Sequence, residues 1–530
     1  MRESVALSAG FQKRINRLAS AAGRSCLHGG LKGIEKEALR VKTNGELASS
    51  PHPRALGSPL TNRFITTDFS EALLEFVTPA LPQTWETLRF LCDIHQYSYE
   101  RMNGELLWAT SMPCRIPADD QIPLALYGKS NIGRMKTIYR NGLGYRYGRT
   151  MQTIAGIHFN YSLPETFWPV FKDVEQYDGS LQALKSDAYL GLIRNFRRYG
   201  WLILYLFGAS PALCKSFSSG ADVRMSSLDE HTWYEPFATS LRMSDLGYSN
   251  KTQAGLKISV NSLADYISDL ERAISTPDPA YEQIGVKNNG EYRQLSANQL
   301  QIENEYYSSI RPKRVAMSGE RPTTALRRDG IEYVELRSLD INAFDPVGIN
   351  QHAMRFVEAF LAYCLLEESP PIDDVGAGEA ARNHRITATH GRDPALMLLR
   401  GGREVSLTPW AGEIVKGVRQ VAELIDSDGG DGSTYVESVD MQSELVANPD
   451  ATPSARLLNE LHERQCSFFE FALDCAVGHQ QYFASLAPLA PEQLQLFERE
   501  ARESLERQDE IEASDTLEFD EYLANYFASV

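Results

Sequence analysis

The chain has 530 residues, 43% of them hydrophobic, and a formal net charge of −17. That length supplies a sizeable core and exceeds one minimal domain, while a mean hydropathy of −0.33 is that of an ordinary globular chain. An acidic surface repels nucleic acid and anionic lipid, which bind cationic surface by releasing counterions, so neither is expected as a partner.

In chain order, residues 1–28 read as an amphipathic helix. Arg2, Lys13, Arg14 and Arg17 precede no apolar run, so no signal peptide is expected. Residues 31–42 alternate as a strand, and 64–79 as strands or as a strand and a helix. Residues 86–103 and 181–207 predict helices, and 150–163 predicts a strand ending at Pro164. The longest apolar run, WLILYLFGA at 201–209, is too short to span a bilayer and predicts a buried helix. Two further strands are predicted at 298–307 and 330–342, and a helix at 349–367. The Pro/Gly/acid-rich stretch 367–379 and the segment Asp426–Thr434 read as loops, and 491–528 as charged helix. The expectation is an α+β chain: a catalytic part over 1–345 and a mainly helical part over 346–530 packed on it.

The seven cysteines are scattered, odd in number and without a CxxC. They argue against a disulfide scaffold or zinc ribbon and predict a cytoplasmic setting. Gln121–Pro164 contains no acid but holds Lys129, Arg134, Lys136, Arg140, Arg146 and Arg149, a positive zone suited to a small anion.

Chemistry is carried by polar strand faces, since side chains alternate sides along a strand. Glu35 and Glu37 share one face of GIEKEALRV. In ITTDFSEALLEFVTP, Glu71 and Glu75 share a face if it is a strand; Asp68, Glu71 and Glu75 cluster if it is a helix. Gln152, Gly156, His158 and Asn160 share a face in the third stretch, and Tyr333, Glu335 and Arg337 in the fourth. Gln301, Glu303, Glu305 and Tyr307 do so in a fifth, followed by the basic turn Arg311–Arg314. Alone, the first pair reads as solvated surface, the second stretch fits surface or site equally, Gln152 and Asn160 beside His158 favour a site, and Glu335 beside Arg337 fits either a surface ion pair or a ligand beside a phosphate clamp. Together they describe carboxylates and one histidine lining a cavity, a donor set suited to Mg²⁺ or Mn²⁺ rather than zinc. No phosphate-binding GxxxxGK[ST] loop, kinase motif set or G-x-S-x-G elbow is present, so the residues alone lead to metal-dependent phosphoryl chemistry on a sheet and no further.

GIEKEALRV, ITTDFSEALLEFVTP, SMPC (111–114), YGKSNIGRMKTIYRNGL, RYGRTMQTIAGIHFNYSLP, YLFGASPA, ATSLRMSDLGY, LQIENEYYSSIRPKR and GIEYVELRSLDIN, in this order, strongly resemble the glutamate–cysteine ligase family of proteobacterial monofunctional type. The resemblance is dense over 28–345; residues 1–30 and 215–235 match poorly. It implies a glutamine-synthetase-like fold, a curved, mostly antiparallel sheet lining a funnel with helices outside. It also implies ATP-dependent joining of L-cysteine to the γ-carboxylate of L-glutamate through γ-glutamyl phosphate, the first step of glutathione synthesis, with glutathione as feedback inhibitor. By the same resemblance Glu35, Glu37, Asp68, Glu75, His158 and Glu335 hold Mg²⁺ and Arg337 clamps the transferred phosphoryl group. Arg242 and Gln152 bind the amino acids; Phe69, Tyr139, Leu143, Tyr248 and Tyr307 wall the cysteine pocket; Arg311 and Arg314 hold ATP. The length leaves no room for the fused ATP-grasp domain of the bifunctional form. Two other readings stand beside this one: a related carboxylate–amine ligase with another acceptor amine, and a non-catalytic sensor of the same fold.

Overall fold

The computed structural model describes residues 7–20, 26–218, 225–247, 253, 255–317, 319–427 and 433–528. Tyr248 and the centre of the 426–434 loop lie outside them. The main sheet begins with β1 (Leu31–Val41), β2 (Ile65–Thr67), β3 (Leu73–Val77), β4 (Leu106–Leu107) and β5 (Ile157–Ser162). A small sheet of β6 (Ala212–Cys214), β7 (Ser226–Ser227) and β8 (Thr232–Tyr234) follows, then a hairpin of β9 (Lys287–Asn288) and β10 (Glu291–Tyr292). The chain returns to the main sheet as β11 (Ile310–Lys313) and β12 (Tyr333–Leu339), and β13 (Met397–Arg400) and β14 (Arg403–Ser406) form a last hairpin.

The main sheet runs β11-β12-β5-β1-β3-β2, with β4 beside the end of β1. Every pairing in it is antiparallel and it does not close on itself. With helices outside it, this is the α+β class expected.

β1 explains why the sheet is sided. One face carries Glu35 and Glu37. The other carries Lys32, Lys36 and Arg40, four residues apart, and each meets a partner. Lys32 Nζ pairs with Glu358 Oε2 at 2.7 Å, both side chains 1% exposed. Lys36 Nζ lies 2.8 Å from His95 Nε2, and burial pushes its pKa down to about 7. Arg40 pairs with Glu105 and reaches the carbonyls of Ser50, Pro51 and Glu71. Glu358 comes from helix Gln351–Leu366 and also accepts from the Tyr435 hydroxyl at 2.7 Å. Removing one partner of a buried pair leaves the other charge unanswered. Glu358→Gln is therefore expected to cost about 3–5 kcal/mol, read as a lower urea midpoint at unchanged slope.

One apolar core runs from Phe11 through the sheet to Phe497. The helices after residue 345 join it from the cationic side of β1; Phe483, for instance, stacks on His95 with ring centroids 5.2 Å apart. A second small core, Met135, Leu295, Phe519 and Leu523, seats the last helix on helix Asn131–Tyr147. The run at 201–209 is helical over Trp201–Phe207 and buried, and the helix predicted over 181–207 is divided at Gly200. Among the described residues no helix is long and apolar enough to cross a membrane.

Several expectations are corrected. Residues 64–79 take the first of the two arrangements expected, two strands, with Asp68 in the turn between them. Residues 298–307 are not a strand: Glu303–Glu305 is a 3-10 turn. Glu305 accepts from the Gln301 main-chain N–H at 2.7 Å and from Arg146 at 2.9 Å, and Arg321 and Thr323 take Glu303. Side chains that capture nearby backbone groups compete with ladder formation. The 150–163 strand begins at Ile157, and Gln152 sits in a 3-10 turn instead. Much of the positive zone is spent on structure, with Arg146 locked on Glu305 and Arg149 on the carbonyls of Asp120 and Ile122. The cysteines build no disulfide scaffold, but Cys114 and Cys214 are bonded to each other.

Candidate active site

Strand register assembles the site. Glu35 lies opposite His158 on β5, and Glu37 opposite Glu75 on β3. Glu335 lies opposite Asn160 on one side and Arg311 on the other. Residues directly opposite share a face, so four strands deliver Glu35, Glu37, Glu75, His158, Asn160 and Glu335 to one surface. Between Leu336 and Leu339 the register of β12 against β5 slips. Such bulges re-aim side chains, and here Arg337 Nη1 reaches both Glu335 Oε1 at 3.0 Å and His158 Nδ1 at 3.4 Å.

His158 is the hub. Its Nδ1 lies 3.2 Å from Glu35 Oε2 and 3.6 Å from Glu335 Oε1, and its Nε2 lies 3.7 Å from Glu37 Oε1. Ligand atoms of Glu35, Glu75 and His158 all lie within 4.8 Å of one another. Glu35 is the open member, 21% exposed at its side chain against 6% for Glu37 and 2% for Glu335, so a ligand approaches from its side. Asp68 approaches from the β2–β3 turn, whose backbone is held by Tyr127 and Arg140.

The face is polarised. Burial holds the Glu75 carboxyl well above the usual carboxylate range, with Glu35, Asp68 and Glu37 adding repulsion. Burial also raises Glu37, and Asp68 adds to it. At the other end burial opposes ionisation of Glu335, yet Lys313, Arg337, His158 and Arg311 outweigh it and hold the carboxyl well below its ordinary range. Glu35 is lowered as well, its hydrogen bond to His158 overcoming burial. Like charges set directly opposite on neighbouring strands are destabilising, so the acids over β1 and β3 are arranged for a cation the protein does not itself supply. Among the described residues, Asn160 Oδ1, Glu335 Oε2, Arg311 Nε and Arg337 Nε are buried on this face without a hydrogen-bond partner. Buried polar groups are rarely left so except where something binds. Carboxylates with one imidazole fit a Mg²⁺- or Mn²⁺-like ion.

The other residues named from the resemblance divide. Arg242, 1% exposed, is brought to the site: Nη1 lies 3.6 Å from Asp340 Oδ1 and Nη2 gives 3.0 Å to the Arg337 carbonyl. Asp340 is itself fixed by Ala209 N–H, Ser210 and Ser240 at 2.9, 2.6 and 2.9 Å. A β-carbon on Gly156 would fall 1.9 Å from Arg242 Nη2, so glycine makes room for the guanidinium. Tyr307 stands within the field of Arg242, Arg337 and Glu37, its hydroxyl pushed up to about 12 chiefly by burial. Tyr139 feels Glu305, Arg140 and Arg311. Phe69 is buried next to the Asp68 turn, and Leu143 packs partly buried on the core. Gln152 is partly buried in its turn. Arg314 is not brought in: it bonds the carbonyls of Asp329 and Gly330.

Lys313, Asn160 and Asp340 were not singled out as ligands by sequence, although alternation from Arg311 points to the first and from His158 to the second. The motif SMPC serves as a brace: the Ser111 carbonyl accepts from Ala155 N–H and its hydroxyl from Ile341 N–H, tying the start of β5 to the end of β12.

A profile of the family described as Glutamate-cysteine ligase matches residues 15–387. The glutamate–cysteine ligase of Alcanivorax borkumensis is 50% identical over 522 residues, covering 98% of this chain and 99% of its own. That of Pseudomonas entomophila is 48% identical over 532 residues, 100% of this chain and 99% of its own. The crystal structure of the Francisella tularensis glutamate–cysteine ligase in complex with AMP superposes with a TM-score of 0.89 at 36% identity, covering 95% of this chain and 98% of that one. A bifunctional glutathione synthetase from Pasteurella multocida shares the fold, with a TM-score of 0.72 at 22% identity over 93% of this chain and 57% of that one.

Proposed function

We propose a working site for a chain that belongs to the glutamate–cysteine ligase family. It is an ATP-dependent ligase forming γ-glutamylcysteine, the opening step of glutathione synthesis. Which side chain does what is our own reading, and the polarised sheet face around His158 carries it.

A γ-carboxylate is a poor electrophile. An oxygen of the glutamate γ-carboxylate attacks the γ-phosphorus of ATP, the bond to the ADP oxygen breaks, and γ-glutamyl phosphate forms. The cysteine amine then attacks the acyl carbon and phosphate leaves with the bonding pair. Glu35, Glu37, Asp68, Glu75, His158 and Glu335 are the residues that would hold Mg²⁺, with Mn²⁺ as the alternative. Such an ion would supply positive charge to offset the negative charge that develops on the transferred phosphoryl group. Arg337 presents a planar fork beside Glu335 and His158, suited to the transferred phosphoryl oxygens. Arg242, oriented by Asp340, takes a substrate carboxylate, with Gln152 assisting. Phe69, Tyr139, Leu143 and Tyr307 line the cysteine side. We place the protein in the cytoplasm, the catalytic part within 1–345, and glutathione on the substrate sites as feedback inhibitor.

The test is product formation by purified protein with Mg²⁺, ATP and glutamate, offering cysteine, 2-aminobutyrate or ammonia. Cysteine is expected to be preferred, and a clear preference for ammonia overturns the acceptor assignment. Absence of any γ-glutamylcysteine or ADP would favour a sensor.

Gly156→Ala tests the Arg242 assignment. The added methyl displaces the guanidinium, so the KM for glutamate is expected to rise about tenfold or more, one charge-assisted contact being worth roughly 1.5–3 kcal/mol. The KM for ATP should move little. Equal rises in both would show that the substitution disturbs the whole face.

A further inference from the structure

The basic turn after Tyr307 splits into two by strand alternation. Arg311 lies opposite Glu335 and Lys313 opposite Tyr333, so both project over the site face. Arg314 leaves the strand for the carbonyls at the C-terminal end of helix Pro322–Asp329. Lys313 Nζ stands 3.6 Å from Glu335 Oε2, an oxygen that is buried and accepts no hydrogen bond. At that separation the contact is one of charge rather than a hydrogen bond. An ammonium has three donors, and none of those of Lys313 finds an acceptor among the described residues. The side chain is 33% exposed, so it meets solvent at the rim of the face rather than lying in the core. Beside it Arg311 gives Nη2 to the carbonyls of Asn304 and Tyr306, while its buried Nε is unpartnered.

Three cations thus ring one carboxylate: Lys313, Arg337 and Arg311 around Glu335. That is more positive charge than a single glutamate needs, and it lies at the end of the face away from the acids of β1 and β3. An anion spanning both ends, with a metal against the acids and oxygens against the cations, has the shape of a polyphosphate. A lone carboxylate is too short to span it.

We propose that Lys313, and not Arg314, makes the cationic contact to the terminal phosphates of the nucleotide, with Arg311 Nε beside it. This rests on the ATP-dependent ligase reading. A group next to Glu335 meets the phosphates that share its metal, which are the terminal ones; the α-phosphate of AMP lies beyond its task. The missing hydrogen-bond acceptors of Lys313 are then the phosphate oxygens.

The experiment is equilibrium binding of Mg²⁺–ADP and of AMP, by calorimetry, to the full chain as wild type, Lys313→Met, Lys313→Arg and Arg314→Gln. Lys313→Met is expected to weaken ADP about tenfold to a hundredfold and to leave AMP within about twofold. Lys313→Arg should recover most of the ADP affinity. Unchanged ADP binding overturns the proposal. So does an equal loss for ADP and AMP, which would mean that Lys313 only supports the shape of the site. Loss of ADP in Arg314→Gln with none in Lys313→Met overturns it as well. Should Lys313→Met not fold, Lys313→Gln carries the same comparison. The ligase reading is judged separately, by γ-glutamylcysteine formation in the wild type, so the two failures are told apart.

Discussion

Glu75→Gln is expected to lower turnover by about 10³-fold, roughly 4 kcal/mol of transition-state stabilisation, and yet to raise the melting temperature in chelator. Both effects have one cause. Glu75 lies directly opposite Glu37, and burial, Glu35, Asp68 and Glu37 together hold its carboxyl well above the ordinary value of 4.5. Its charged form is therefore uncomfortable until a cation arrives. A group whose folded pKa is raised contributes stability that is complete below its unfolded value and is lost as pH rises through the folded one. Glutamine has no such loss. The stability gap between variant and wild type should thus be small at acid pH and widen as pH rises. Added Mg²⁺, which binds the folded wild type more tightly, should narrow it. Thermal melts across pH, with and without Mg²⁺, check this. A variant no more stable than wild type at alkaline pH in chelator would sink the account of the acid cluster.

Arg337→Lys is the second large effect. Lysine keeps the charge that answers Glu335, so the fold should survive with little change in melting temperature. What is lost is the planar fork. Nη1 serves Glu335 and His158, and the buried Nε has no partner among the described residues, so the guanidinium has a donor to spare for a phosphoryl group. A point charge cannot reproduce its direction. The expected result is a fall in kcat of about 10²–10³-fold with a much smaller change in the KM for glutamate, the pattern of an interaction made chiefly in the transition state. If kcat holds and only KM rises, Arg337 binds ground-state substrate instead.

Much of this site was legible because strands alternate. Glu35 and Glu37, His158 and Asn160, and Glu335 and Arg337 were placed on common faces by counting in twos, and the register bears out the side of each except Arg337, which stands at the break. The same count chooses Lys313 over Arg314, since it steps from Arg311 to 313. The cationic side of β1 was likewise readable at 32, 36 and 40, but its meaning was not: Glu358, His95 and Glu105, its partners, come from distant segments that no local pattern announces. Glu303 and Glu305 show the converse. They alternate as strand residues should, and the chain turns there because Arg321 and Arg146, one following and one far ahead in sequence, claim their carboxylates. Cys114 and Cys214, separated by 100 residues, pair for a reason visible only in three dimensions. The break of register that aims Arg337 leaves no mark in the sequence at all.

The strand order also has a temporal side. β1 is made early, but its neighbour β5 begins more than a hundred residues later and β12 later still. Glu358, which answers Lys32 on the back of β1, follows after both. During synthesis, then, the acid strand soon meets β3 and the helix Thr84–Tyr99, but its other edge must wait for β5 and its Lys32 for Glu358. Pairings so far apart pay loop-closure entropy before they return any contact energy, which slows folding. The interval leaves the β5-facing edge of β1 open to misassociation. This protein is therefore one whose yield should depend on how fast it is translated and on what shelters β1 meanwhile, quite apart from how stable it is once closed.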